Sequence, residues 1–315
     1  MLKAAALHLP IAALFVATAL RAQTPRPEAT SLLGRPLARP TLPDDFRAEQ
    51  EALLAEARER LAADSEDLEA WIWVGRRTAY LGLYREAIAV FSDGLDRFPD
   101  SVELLRHRGH RHITLRDFGA AEDDLARAAA LRAGLEDDVE ADGLPNAAGI
   151  PTSTLHTNIA YHLGLARYLQ GDFEGALEAY RWCWEISDNP DMKAAAAYWL
   201  YLTLRRVGRH AEAEELAASI GADWELLENH DYYRLLLAYR DGGGADKLFE
   251  EARQGTELAG STVGYGVGAW HLLEGRPERA REIFDEIVAG EGWAAFGYIA
   301  AEAELVDWMA KPVRR

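Results

Sequence analysis

The sequence predicts an all-helical chain of stacked helix–turn–helix units, and two observations carry that expectation. First, small and large residues fall at fixed, unlike positions between Leu68 and Pro99: Trp71, Gly75, Gly82, Tyr84, Ala87, Phe91, Leu95 and Pro99. Gly75 and Ala87 fit where two helices approach closest, and Trp71, Val74 and Phe91 fill the space between them. Gly82 opens the turn, and Pro99 ends the second helix because it lacks a backbone donor. Second, the pattern returns downstream with a period of about 34 residues, which one isolated hairpin would not do.

Taken in order, the chain begins with Lys3 and an apolar run from Ile11 to Leu20, followed by small residues. Ala17-Thr18-Ala19 offers a cleavage site, with Ala22 as the other candidate, so 1–22 reads as a secretory signal peptide. The run after Pro10 is far shorter than the ~20 residues a spanning helix needs. Export to the periplasm or the cell exterior, without stable membrane insertion after cleavage, is the expected location. Residues 23–43 hold Pro25, Pro27, Pro36, Pro40 and Pro43 and are expected to form an extended tether. Residues 44–64 read as a capping helix, with Asp44 or Asp45 at its N-cap and Leu53, Leu54 and Ala57 recurring at helical spacing.

Repeats one and two occupy 65–131. The second copy runs through Leu105, Gly109, Phe118, Ala121, Leu125 and Ala128, but places Arg108 and His112 in slots that are usually apolar or Tyr. Residues 132–155 break the pattern with acids, prolines and glycines, and two readings stand: a free spacer, or a loop folded back over the neighbouring repeats. Folding back would bury Ile150 and Pro151. Repeats three to six fill 156–290. The third runs through Leu163, Gly164, Gly171, Phe173, Ala176, Tyr180 and Cys183, and the last through Gly268, Gly275, Ala280, Phe284 and Ile287. The stretch between Asp191 and Gly260 matches weakly. Residues 291–315 close the chain with one helix, its Glu302, Glu304 and Asp307 outward and Phe296, Ile299, Leu305 and Trp308 inward.

These residues resemble the tetratricopeptide repeat (TPR) family over nearly everything after Leu68. The resemblance implies an all-α, TPR-type α-α superhelical solenoid with an irregular insertion after the second repeat, used for binding. It also implies that the first helix of each repeat lines a concave groove. On those slots fall Trp73, Arg76, Tyr80, Arg106, His107, His110, Asn158, Tyr161 and His162, which form the expected binding surface. Arginine and aromatic residues are the usual anchors of interfaces. The two-lysine, two-asparagine carboxylate clamp of chaperone-binding TPR domains is not reproduced, since Arg76 and His110 replace the asparagines.

Composition and the remaining motifs narrow the function. Net charge is −18, and −20 once Lys3 and Arg21 are removed, which argues against nucleic acid and anionic lipid surfaces. The single Cys183 falls in a small buried slot and reads as an inert core thiol. Asp138, Glu140, Asp142 and Gly143 start like a calcium loop, but Gly149 stands where the bidentate Glu belongs. His107, His110 and His162 could approach one another, yet Arg106, Arg108 and Arg111 would repel a zinc ion. Gly264 to Gly268 follows no strand and is read as close helix packing rather than a dinucleotide loop. No catalytic motif is recognised and no cofactor is called for. The expectation is a non-catalytic exported scaffold that holds a protein or peptide segment, acidic or aromatic, in its groove. The alternative is a small-ligand or hydrolytic site in a His/Arg pocket between repeats two and three and the insertion. An open groove would favour the first, a closed pocket with a perturbed His the second.

Overall fold

A computed structural model describes residues 27–310. The signal-peptide reading of 1–22 therefore lies outside the described residues. The described chain runs as a short hairpin, β1 (Ala29–Thr30) and β2 (Pro36–Leu37), followed by helices. These are α1 (Asp44–Ala63), α2 (Leu68–Tyr80), α3 (Tyr84–Arg97), α4 (Val102–Thr114), α5 (Phe118–Arg132), α6 (Leu155–Leu169) and α7 (Phe173–Ile186). Then come α8 (Pro190–Arg206), α9 (His210–Ser219), α10 (His230–Asp241), α11 (Ala245–Ala252), α12 (Glu257–Leu273), α13 (Pro277–Ala289) and α14 (Phe296–Ala310). Among the described residues no helix is long and apolar enough to cross a membrane.

The hairpins α2–α3, α4–α5, α6–α7 and α12–α13 share one packing rule. A glycine in the first helix receives the side chain sixteen residues later: Gly75 takes Phe91, Gly109 takes Leu125, Gly164 takes Tyr180 and Gly268 takes Phe284. A Cβ at these glycines would lie 2.1, 2.7, 2.8 and 2.4 Å from that side chain. The four expected close contacts are thus all present, and they fix the register of each helix pair. Burying each aromatic partner contributes roughly 1.5–3 kcal/mol. Helix starts are capped where the sequence supplies an oxygen: Asp67, Ser101, Asp117, Asp172 and Asn189 each accept a backbone N–H. Thr154 and Thr157 form a reciprocal capping box at α6. Each cap contributes about 1 kcal/mol. The unusual polar slots of repeat two pair with each other's neighbours: Arg108 grips Asp124 through two bonds of 2.7 Å, and His112 stands 3.9 Å from the same carboxylate.

Helix α1 covers the first repeat, with Leu54 buried against Val74 and Leu81. Its N-cap is Pro43, so Asp44 and Asp45 are first-turn residues rather than caps, placed where the helix dipole favours acids.

Three expectations are corrected at the ends. The tether is folded from Pro27 onward: β1 and β2 pair antiparallel, Ala29 and Leu37 are buried, and a turn closes at Gly34. The all-helical expectation therefore gains one two-stranded exception. This segment lies across both ends of the array. Trp293 Nε1 donates to Ala38 O at 2.9 Å, Leu32 N to Glu302 at 3.3 Å, and Arg39 Nε to Leu81 O at 2.7 Å. The third correction concerns α14, where Glu302 and Glu304 point inward while Asp307 is exposed as expected. Glu302 is fully buried and pairs with Arg116 at 3.0 Å, and Glu304 pairs with Arg206. Arg116 occupies the turn position that Gly82, Gly171, Gly208 and Gly275 hold elsewhere, and it adopts φ 66° there. A side chain in that left-handed conformation costs on the order of 1–2 kcal/mol. What it places is a buried guanidinium that also donates to Trp293 O at 2.8 Å.

Candidate binding site

The inner face of the array is not an open groove. Its central part is filled by aromatic rings from α6, α8, α10, α12 and α14. Trp199 Nε1 donates to Tyr161 Oη at 2.9 Å, which in turn lies 3.0 Å from Tyr232 Oη. Tyr265 bonds Tyr168 at 2.9 Å. Phe296 of α14 lies 5.3 Å from the His110 ring and 5.6 Å from that of His162.

What remains open is a cavity of about 190 Å³ beneath the insertion. Helix α2 supplies Arg76 and Tyr80, and α4 supplies Arg106, His107, His110 and Arg111. The insertion supplies its roof. Residues 133–154 fold back, as the second reading of that loop held, but not through the residues expected. Ile150 is 55% exposed and Pro151 is exposed as well. The anchors are Gly143, Glu140 and Asp138 instead. Gly143 packs so closely on Tyr80 that a Cβ there would lie 2.2 Å from the phenol oxygen, and its carbonyl accepts from Arg77 at 3.0 Å. Glu140 accepts from Asn158 at 3.1 Å, while Asp138 takes Arg132 at 2.8 Å. The acids of the calcium-like stretch thus diverge to different partners. Among the described residues, no group of three or more His, Cys, Asp or Glu is placed to hold a metal ion.

Charges in the cavity are unevenly matched. Arg106 Nε lies 3.0 Å from Glu140 Oε2, but at an angle that makes no hydrogen bond, so the pair is a charge contact only. Arg76 donates to Tyr80 Oη at 3.2 and 3.3 Å and stacks 4.4 Å over the Trp73 ring. Arg111 stands 5.6 Å over the Tyr84 ring. Among the described residues neither Arg76 nor Arg111 has a carboxylate partner. Burial, reinforced by the other arginines, pulls Arg111 down to about 10, so it stays protonated at neutral pH. The same two causes hold His107 and His110 well below the ordinary histidine range, hence neutral. His162 is held low by burial and by Arg106. An Arg106 donor 2.9 Å from His107 Nδ1 makes that nitrogen the acceptor and leaves the proton on Nε2.

Six of the nine expected site residues meet in this cavity: Arg76, Tyr80, Arg106, His107, His110 and Asn158. Trp73 lines an adjoining hollow on the other side of Glu140. Tyr161 and His162 do not reach it. Tyr161 is locked between Trp199 and Tyr232, and His162 lies under His110, ring centroids 4.3 Å apart, with Nδ1 on Asn158 O at 2.6 Å. Both are core residues because α8 and α14 fill the space that an open solenoid leaves empty. The pocket takes its walls from repeat one as well as from repeats two and three, with Asn158 as the contribution of the third. Arg111, Glu140, Asp142 and Glu228 are the charged lining residues that repeat positions did not indicate. Arg111 was marked by the cluster R-H-R-G-H-R-H, and Glu140 and Asp142 by the calcium-like stretch, while Glu228 carried no signal.

Register, hairpin pairing and glycine contacts make the chain a TPR-type α-α solenoid. It is similar to YrrB, described as a TPR protein with an unusual peptide-binding site, at 15% identity and TM-score 0.44, over 80% of this chain and 97% of that one. It is also similar to a tetratricopeptide repeat protein from Parabacteroides merdae at 13% identity and TM-score 0.49, over 82% of this chain and 95% of that one. No family model and no curated protein matches.

Proposed function

We propose that the protein is a non-catalytic binding protein that takes the carboxylate of a peptide or protein segment into the cavity under the insertion. One observation carries this: Arg76 and Arg111 border the cavity, and neither makes an ion pair with a carboxylate among the described residues. Guanidinium forks are shaped for carboxylates, and in a shielded site the charge is worth more than on a surface. The volume is below the 300 Å³ or so at which drug-sized ligands are housed, so it suits one side chain or chain end. Leu135, Val139, Leu144 and Ile150 stand exposed on the roof and offer apolar contact to the flanking part of such a segment. A hydrolytic reading finds no nucleophile in Cys183, which is buried in the α6–α7 core and pushed up to about 12 by that burial. Export remains part of the proposal and rests on the apolar run from Ile11 to Leu20.

The test is calorimetric titration with N-acetyl-Ala-Ala as the free acid and as the amide. The acid should bind and the amide should not. Arg76→Ala and Arg111→Ala should each weaken the acid roughly 10–100-fold, the equivalent of about 1–3 kcal/mol for a charged hydrogen bond. Equal binding of acid and amide, or full affinity in the double variant, would rule the reading out.

A further inference from the structure

The same cavity carries a second, opposite set of charges. Asp142 and Glu228 line it too, and both are exposed, whereas Arg76 is 7% exposed. Arg111 is half-buried, so both cations lie deeper than the acids at the mouth. Neither acid has a cation partner among the described residues. Asp142 accepts from Leu144 N at 3.0 Å, and Glu228 accepts from Asn146 at 2.7 Å and Thr152 at 3.1 Å. The neutral donors hold Glu228 in place without cancelling its charge. No ion pair joins either acid to Arg76 or Arg111. Arg106 and Glu140 offset each other, and His107 and His110 are neutral. What is left is two positive charges inside and two negative charges outside, separated within one small space. Arg106, 8% exposed, adds an Nε with no hydrogen-bond partner to this lining.

A simple anion would satisfy the arginines but meet repulsion on entry, and a simple cation would stop at the mouth. We infer that the ligand is a zwitterion, a free amino acid or short unblocked peptide, with its carboxylate on Arg76 and Arg111 and its ammonium between Asp142 and Glu228. This rests on the carboxylate-binding reading and adds that an internal protein segment, which has no free ammonium, is not the preferred ligand. Opposed charges at the two ends also set the direction of entry. Carboxylate first brings each charge to its complement, and the reverse orientation places like charges together.

Titrating Ala-Ala, N-acetyl-Ala-Ala and Ala-Ala amide into the full chain separates the two readings. The unblocked dipeptide should bind at least tenfold more tightly than the N-acetyl form, and the amide least. In a chain carrying Asp142→Asn and Glu228→Gln, the dipeptide should fall to the level of the N-acetyl form. Both changes are on exposed residues, so a melting midpoint close to that of the parent chain is expected and is measured alongside. N-acetyl-Ala-Ala binding as tightly as the dipeptide would overturn the zwitterion while leaving carboxylate recognition standing. Undiminished preference for the dipeptide in the double variant would also overturn it. Binding of none of the three would remove both readings.

Discussion

Within the α6–α7 hairpin, Gly164 meets Tyr180 sixteen residues along, in a wholly apolar contact. Between α14 and the rest, Glu302 meets Arg116 and Leu32 N across 186 and 270 positions, in wholly polar contacts. The hairpins are local and repeated, so a mistake in one is diluted by the others and by nearest-neighbour stacking. The closure is long-range and occurs once, and it combines buried charges and oriented donors with aromatic contacts such as Tyr84 on Trp293 and Phe296 on Tyr161. Local packing makes the array, while contacts between distant segments, several of them buried and polar, hold its ends together.

The largest effect should come from breaking the closure at its charge. Glu302→Ala leaves Arg116, whose side chain is 3% exposed, without its counter-charge. Loss of about 3–5 kcal/mol is expected, read as a fall in the urea midpoint. A Glu302→Ala midpoint like that of the parent chain would show the closure to be incidental. Gly164→Leu tests the other side of the comparison. It should cost about 1–3 kcal/mol by overpacking against Tyr180, and an unchanged melting midpoint would contradict the register.

A smaller, tunable effect comes from pH. His110 and His162 both touch Phe296 of α14, and their folded-state pKa values lie well below the unfolded value near 6.5. Below that value the unfolded chain binds protons that the folded chain refuses. Stability from these neutral rings is therefore complete above about pH 6.5 and declines as pH falls through the window below it. Each contributes up to about 1.4 kcal/mol per pH unit in that window. Melting curves near pH 7.5 and 5.5 should show the loss, and His110→Phe should flatten it. A pH slope unaltered in that variant would place the acid sensitivity elsewhere.

The part of the molecule legible in its sequence is the part that repeats. Gly75, Gly109, Gly164 and Gly268 could be placed because a small residue and a large one must recur together. So could Arg76, Arg106, His107 and His110, since first-helix positions face inward in such arrays. The closure was illegible for a physical reason: no repeat position singles out Arg116, and Glu302 reads as a solvated acid on a final helix. Nothing periodic links two residues that far apart. Tyr161 and His162 were misplaced for the same cause, since an inward slot borders solvent only if the array stays open. The roof was half legible. Its Ile150 and Pro151 advertised burial, yet a glycine and a carboxylate, Gly143 and Glu140, make the contacts.

The Arg116 turn has a consequence for how such a chain can change over generations. Open solenoids lengthen or shorten by whole units, because a duplicated hairpin stacks on its parent and disturbs nothing distant. Here one extra hairpin between α5 and α14 would carry Glu302 past its guanidinium and strand both charges. Insertion and deletion of repeats are thereby closed off as routes of variation. Novelty is confined to segments that leave the count intact, and the stretch from residue 133 to 154, which roofs the cavity, is the longest of these.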